Sequence, residues 1–128
     1  MPEQGSGNMG AKVSNPPAAW KRVAALVYDA NAPVVLQALD LSAYVGVARA
    51  MVFLKIAEIG GANNTYTFLS GDDVAENPYY PGWNKFLLAA DTMANVILET
   101  NSAGIIYWGS DTVAIHTHIT LLSYMRIL

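Results

Sequence analysis

The sequence predicts an all-β fold: an antiparallel β-sandwich of the jelly-roll type that carries an extended N-terminal arm. Three observations lead to this prediction. Small or branched apolar residues occupy every second position from Ala50 to Ile56, which is the period of a strand. About eight short segments rich in apolar and β-branched residues are separated by turn-forming residues at fairly regular spacing. Strands do not alternate with long helical patterns, so a parallel α/β sheet is not expected.

The strands can be placed along the chain from the same signals. Asn101 to Gly104 is a segment of small and turn-forming residues between Glu99 and Ile105, which predicts a β-hairpin. The predicted strands, in chain order, cover residues 23–28, 34–36, 50–56, 65–69, 85–90, 95–100, 105–108 and 112–128.

Two segments allow another interpretation. Residues 84–93 can form a strand or a short helix. Residues 40–46 can form a helical turn, because Asp40 or Ser42 can cap its start and Gly46 can end it.

The composition limits the classes of function. A chain of 128 residues is the size of one domain. Only 13% of its residues are charged and 53% are hydrophobic, so some apolar surface is expected to meet a partner. Apolar runs stay shorter than the roughly 18 residues of a membrane-spanning helix, and no membrane partner is expected.

Charge and cysteine content exclude further classes. The formal net charge is −3, and the basic residues are scattered, with Lys21 and Arg22 as the one adjacent pair. Nucleic-acid binding needs clustered Lys and Arg, so no nucleic-acid partner is expected. The chain has no cysteine, which excludes disulfides, thiolate nucleophiles and zinc sites built on cysteine.

The chain divides into an arm, residues 1–17, and a β-sandwich domain, residues 18–128. The arm is rich in Gly, Pro, Ser and Asn and has little apolar surface with which to fold alone. We expect it to dock on a neighbouring subunit through Val13, Pro16 and Pro17. The alternative is that it lies along its own domain.

His116 and His118 are the two histidines of the chain and the first candidates for chemistry. Two positions apart on a strand, they point to the same face. Such a pair can share a metal ion or line a polar interface, but a metal site needs a third ligand and the sequence shows no nearby Asp or Glu. We therefore expect an interface role, with no metal, no cofactor and no catalytic residue.

A loop of aromatic residues is the second candidate. Tyr79, Tyr80 and Trp83 lie in a segment rich in Pro and Gly, where they can close one end of the core, anchor a protein contact or stack on a glycan. The acidic stretch at residues 71–77 lacks the pattern of a calcium-binding loop and is expected to be a solvated surface loop.

Two segments resemble small structural proteins of tailed bacteriophages. Residues 40–46 (DLSAYVG) lead into residues 49–55 (RAMVFLK), and this turn followed by a strand is similar to a segment of small jelly-roll proteins in those phages. The similarity extends over roughly residues 34–128, and the arm lies outside it. The resemblance implies a virion role, as a capsid decoration (cement) protein or a fibre or spike domain, commonly trimeric. It transfers no catalytic residue.

The leading hypothesis is therefore a non-enzymatic, homotrimeric decoration protein on the surface of a phage capsid, bound across subunits of the major capsid protein. The first alternative is a tail-fibre or receptor-binding domain whose aromatic loop meets a host surface glycan. The second is a small carbohydrate-active or metal-dependent enzyme, for which His116 and His118 are the only support.

Overall fold

The computed structural model describes residues 20–59, 64–69, 83–88, 92–110 and 115–127, which form two antiparallel sheets of four strands each. The first sheet has the strand order β1-β8-β3-β6 and the second the order β2-β7-β4-β5. In chain order, the described elements are β1 (Lys21–Asn31), β2 (Gln37–Asp40), α1 (Ser42–Val45), β3 (Ala50–Glu58), β4 (Asn64–Leu69), β5 (Trp83–Leu88), β6 (Met93–Glu99), β7 (Ile105–Ser110) and β8 (His116–Arg126).

The pairing of these strands is that of a jelly roll. Strand β1 pairs with β8, β2 with β7, β3 with β6, and β4 with β5, so the pairs are nested as in one long antiparallel hairpin. The pairs β3–β8 and β4–β7 then join the wrapped hairpin into two sheets. Both the predicted antiparallel sandwich and its jelly-roll topology are confirmed.

The core lies between the two sheets. Every second residue of β3 from Ala50 to Ile56 is fully buried, as the sequence period predicts. Trp108 of β7 stacks on Phe68 of β4 with ring centroids 5.7 Å apart, and Tyr28 of β1 meets the same indole edge-on at 4.9 Å. The aromatic contact between Tyr28 and Trp108 therefore joins one sheet to the other.

The helical turn predicted at residues 40–46 is present as α1. The backbone N–H of Ser42 donates a hydrogen bond to Asp40 Oδ1 at 2.9 Å, and the carboxyl pKa of Asp40 is lowered by hydrogen bonds from the Ser42 side chain and backbone. Gly46 follows the last helical residue with φ at 85°, a conformation that favours glycine. Arg126 Nε donates to the Val45 carbonyl at 2.7 Å and so ties α1 to the end of β8.

The second strand was predicted one segment too early. Residues 34–36 are not a strand: Val34 and Val35 lie exposed in a bend, and β2 begins at Gln37. The Pro33 carbonyl accepts the Ser110 backbone N–H at 2.8 Å, which draws this bend against β7. The high strand propensity of valine is overridden there by the packing of the loop on β7.

The predicted turn at residues 101–104 is present, but the predicted hairpin is wrong, because β6 belongs to the first sheet and β7 to the second. Asn101 Oδ1 accepts the backbone N–H groups of Ala103 and Ile105 at 2.9 and 3.1 Å. Gly104 has φ at 79°, a conformation that this turn requires. The turn therefore carries the chain from one sheet to the other.

The sequence allowed either a strand or a short helix at residues 84–93. Residues 84–88 of this segment form a strand, as part of β5. No helix of the described residues is long and apolar enough to cross a membrane.

Candidate functional site

The two faces of β8 are chemically different. Thr117, Ile119 and Leu121 are fully buried and point between the sheets. The alternate residues His116, His118 and Thr120 therefore point outward from the sandwich, on the solvent side of the β1-β8-β3-β6 sheet. The prediction that the two histidines share a face is confirmed by this alternation.

Strand β1 adds a carboxylate to the two histidines. The register of the β1–β8 pair places Asp29 directly opposite His118 and Asn31 opposite His116. Asp29 Oδ1 lies 2.7 Å from His116 Nε2 and 2.8 Å from His118 Nε2. The two imidazole rings are 5.2 Å apart between centroids and nearly perpendicular. We call Asp29, His116 and His118 the histidine–aspartate cluster.

The cluster is accessible to solvent and charged. The side chains of His116, His118 and Asp29 are 44%, 37% and 50% exposed. The hydrogen bond from His116 is the main reason that the pKa of Asp29 lies below its ordinary value, and the charges of both histidines act in the same direction. Asp29 is therefore a stable carboxylate at neutral pH, and a single one of its oxygens accepts both imidazole N–H groups.

The surroundings of the cluster follow from the sheet register. Ala57 of β3 lies beside His118, and the Ile59 backbone N–H donates to the His116 carbonyl at 3.0 Å. Lys55 is opposite Thr120, the next outward residue of β8, and is the nearest basic side chain on β3. The cluster thus lies at one end of the β1–β8 ladder, and the small side chain of Ala57 borders it on the side of β3.

Two pairs of apolar side chains lie on the other half of the same sheet face. Phe53 of β3 pairs with Ile97 of β6, and Ala57 pairs with Met93. Met93 is 62% exposed and Ile97 is 48% exposed. We call Phe53, Ala57, Met93 and Ile97 the β3–β6 patch. The Lys55–Asn95 pair lies between the two apolar pairs, so the β3–β6 patch consists of two cross-strand apolar pairs on one sheet face with a polar pair between them.

The other predicted site residues belong to the N-terminal arm and to the aromatic loop. Val13, Pro16 and Pro17 of the arm, and Tyr79 and Tyr80 of the aromatic loop, lie outside the described residues. The arm boundary at residue 17 and the acidic stretch at residues 71–77 lie outside them too.

Trp83 is the first residue of β5, and only its backbone is described.

Asp29 is the member of the cluster that sequence reasoning missed. The absence of a third ligand near the histidines was a wrong premise, because Asp29 is 87 residues from His116 in the chain. The signal that can find it is the pairing of the first and last strands of a jelly roll, together with the correct register. The strand order follows from the predicted fold, whereas the register does not.

No protein-family profile and no curated protein sequence matches this chain. The chain is similar to two solved structures of the coat protein of Tobacco streak virus, each at 12% sequence identity. One structure has a TM-score of 0.41 and the match covers 92% of this chain and 91% of that one. The other, of the coat protein dimer, has a TM-score of 0.40 and 91% coverage of both chains. These neighbours come from a plant virus and not from a tailed bacteriophage. At these values the likeness assigns neither a family nor a function to the chain.

Proposed function

We propose that this chain is a virion structural protein, and more specifically a homotrimeric decoration (cement) protein that sits on the outer surface of a phage capsid. It would bind across neighbouring subunits of the major capsid protein and act by holding them together. The proposal includes no catalytic step.

The observation that carries the proposal is the β3–β6 patch. Met93 and Ile97 are large apolar side chains about half or more exposed, and Phe53 joins Ile97 into one surface. Large apolar side chains exposed together on one face of a domain mark a site of association. A second copy of the chain is the occupant that fits the low overall charge, because a protein with few charged residues benefits when copies cover one another's apolar surface.

The fold is compatible with this role. Jelly-roll sandwiches build viral capsids, and they also serve lectins and cupins, so topology alone does not select a function. The resemblance of residues 40–46 and 49–55 to small phage jelly-roll proteins supports the virion interpretation. In the proposal, the arm at residues 1–17 reaches a neighbouring subunit and Val13, Pro16 and Pro17 anchor it there.

The tail-fibre alternative depends on the aromatic loop of Tyr79, Tyr80 and Trp83 and on a host surface glycan. Those side chains lie outside the described part of the chain, and no described contact favours that role over the first.

Multi-angle light scattering after size exclusion tests the proposal at micromolar protein. We expect the full chain to elute as three copies. Ile97→Lys places a charge in the β3–β6 patch, so the trimer should weaken about 10-fold or more, because an unpaired charge in an apolar interface is costly. Val47→Lys is the matched control: Val47 is 81% exposed in the loop between α1 and β3, outside the patch.

Three results would contradict the proposal. The first is a wild-type chain that stays a folded monomer at these concentrations. The second is a trimer that Ile97→Lys leaves intact, because the patch would then not be the interface. The third concerns a variant that lacks residues 1–14, tested on empty capsids. If it still folds and protects the capsids against heat as well as the full chain does, the arm has no part in the mechanism.

A further inference from the structure

We propose that Asp29, His116 and His118 form a binding site for a divalent transition metal, of which Zn²⁺ is the best match. The site lies at the end of the β1–β8 ladder, on the outer face of the first sheet. The proposal does not rest on the proposed virion role, and Ala57 of the β3–β6 patch is the neighbour of His118 on β3.

The donor set selects the class of metal. Two imidazole nitrogens and one carboxylate oxygen, all within 4.8 Å of one another, converge from two strands. Zinc binds histidine nitrogen and aspartate oxygen, and zinc sites with three protein ligands keep a fourth position for water. Ca²⁺ and Mg²⁺ prefer sites made of oxygen ligands, so two imidazoles disfavour them. The cluster therefore fits zinc and neighbouring transition metals.

The geometry needs two small adjustments. Ligand atoms about 2.0–2.1 Å from a tetrahedral zinc ion lie roughly 3.3–3.4 Å apart. Asp29 Oδ1 is now 2.7 and 2.8 Å from the two Nε2 atoms, at hydrogen-bonding distance. The two Nε2 atoms, which lie within 4.8 Å of each other, must come to this spacing by rotation of the rings, and the carboxylate oxygen must retreat by about half an ångström. The Asp29 side chain is half exposed and can make this movement by rotation.

The backbone holds the three residues in place. Asp29 and His118 are direct cross-strand partners, and His116 is two residues from His118 on the same strand. Sites built on paired strands keep their geometry better than sites on loops. Both imidazoles already direct Nε2 at the same oxygen, so the ligand atoms are aimed at a common point before a metal arrives. The fourth position opens to solvent, where water would complete the coordination.

Isothermal titration of the untagged full chain with ZnCl₂, after treatment with a chelator, tests the site. We expect one zinc ion per chain with a dissociation constant in the micromolar range or below, and no measurable heat with MgCl₂ or CaCl₂. Substitution of a residue that only hydrogen-bonds to a metal ligand typically lowers metal affinity about 10–100-fold. Removal of a direct ligand should therefore lower the affinity by more than that. His118→Ala and Asp29→Asn should therefore each weaken zinc binding by at least about 100-fold.

Thr120→Ala is the control, because Thr120 is the next outward residue of β8 and is not a ligand. It should bind zinc as the wild type does, and circular dichroism should show that all variants keep the β-sheet spectrum. Two outcomes overturn the proposal. If the wild type binds no zinc at millimolar concentration, the three residues form a hydrogen-bonded trio only. If zinc binding persists unchanged in His118→Ala and Asp29→Asn, the metal is held elsewhere in the chain.

Discussion

The two faces of β8 are built by the same eleven-residue strand and serve different ends. The inward residues Thr117, Ile119 and Leu121 are fully buried between the sheets, whereas His116 and His118 remain partly exposed on the outside. The inner face is held by close packing and tolerates little change. The outer face is freer to carry chemistry, because the fold does not depend on which polar side chains occupy it.

The first sheet repeats this division across its width. Its inner face contributes the alternate residues of β3 from Ala50 to Ile56 to the core. Its outer face carries the histidine–aspartate cluster at the β1–β8 end and the β3–β6 patch at the other. One sheet thus combines a structural surface with two exposed surfaces that adjoin where Ala57 lies beside His118.

The largest effect is expected from a change on the inner face. Ile119→Ala removes a fully buried side chain and should lower the free energy of unfolding by about 2–5 kcal/mol, because a cavity remains where the side chain packed. His118→Ala, one position earlier on the outer face, should lower it by no more than about 1 kcal/mol in metal-free buffer, because its contact with Asp29 is exposed. Chemical denaturation of both variants measures the difference. Equal losses would show that the outer face is part of the structural core.

The sequence predicted the inner face far better than the outer one. The buried period of β3 can be read from local sequence because burial recurs at every second residue. The position of β2 could not be read in this way, since Val34 and Val35 have strong strand propensity but lie in a bend beside the hydrogen bond between Pro33 and Ser110, and the strand begins at Gln37. Asp29 could not be placed beside the histidines either, because local sequence does not fix the register between the first and last strands.

A smaller effect is expected where the chain crosses from one sheet to the other. Gly104 has φ at 79°, and a Cβ atom there would lie 2.5 Å from the Gly46 carbonyl oxygen and 3.2 Å from Ser42 Cα. Gly104→Ala should cost about 1–3 kcal/mol, from the disfavoured backbone angle and the displacement of the α1 end. Thermal denaturation measures the loss, with Ala103→Gly as the control in the same turn. A variant as stable as the wild type would mean that the turn can relax, and that the crossing does not constrain the two faces.

The smallest effect, and one that depends on pH, is expected from an exposed carboxylate. The pKa of Asp40 lies below its ordinary value, because the Ser42 side chain and backbone N–H donate hydrogen bonds to the ionised form. A carboxyl whose pKa is lower in the folded state stabilises the fold at every pH above its unfolded pKa, and this contribution disappears as the pH falls through the folded value. Asp40→Ala should therefore lower the free energy of unfolding at neutral pH by no more than about 1 kcal/mol, because the carboxylate is exposed and solvent screens its hydrogen bond to Ser42. The difference between variant and wild type should shrink once the pH falls below about 4.

Urea denaturation at a series of pH values measures this difference. Asp29→Asn in metal-free buffer offers a comparison on the outer face, since the pKa of Asp29 is also lowered. A gap between Asp40→Ala and wild type that stays constant down to about pH 2 would mean that Asp40 acts through packing and not through its charge.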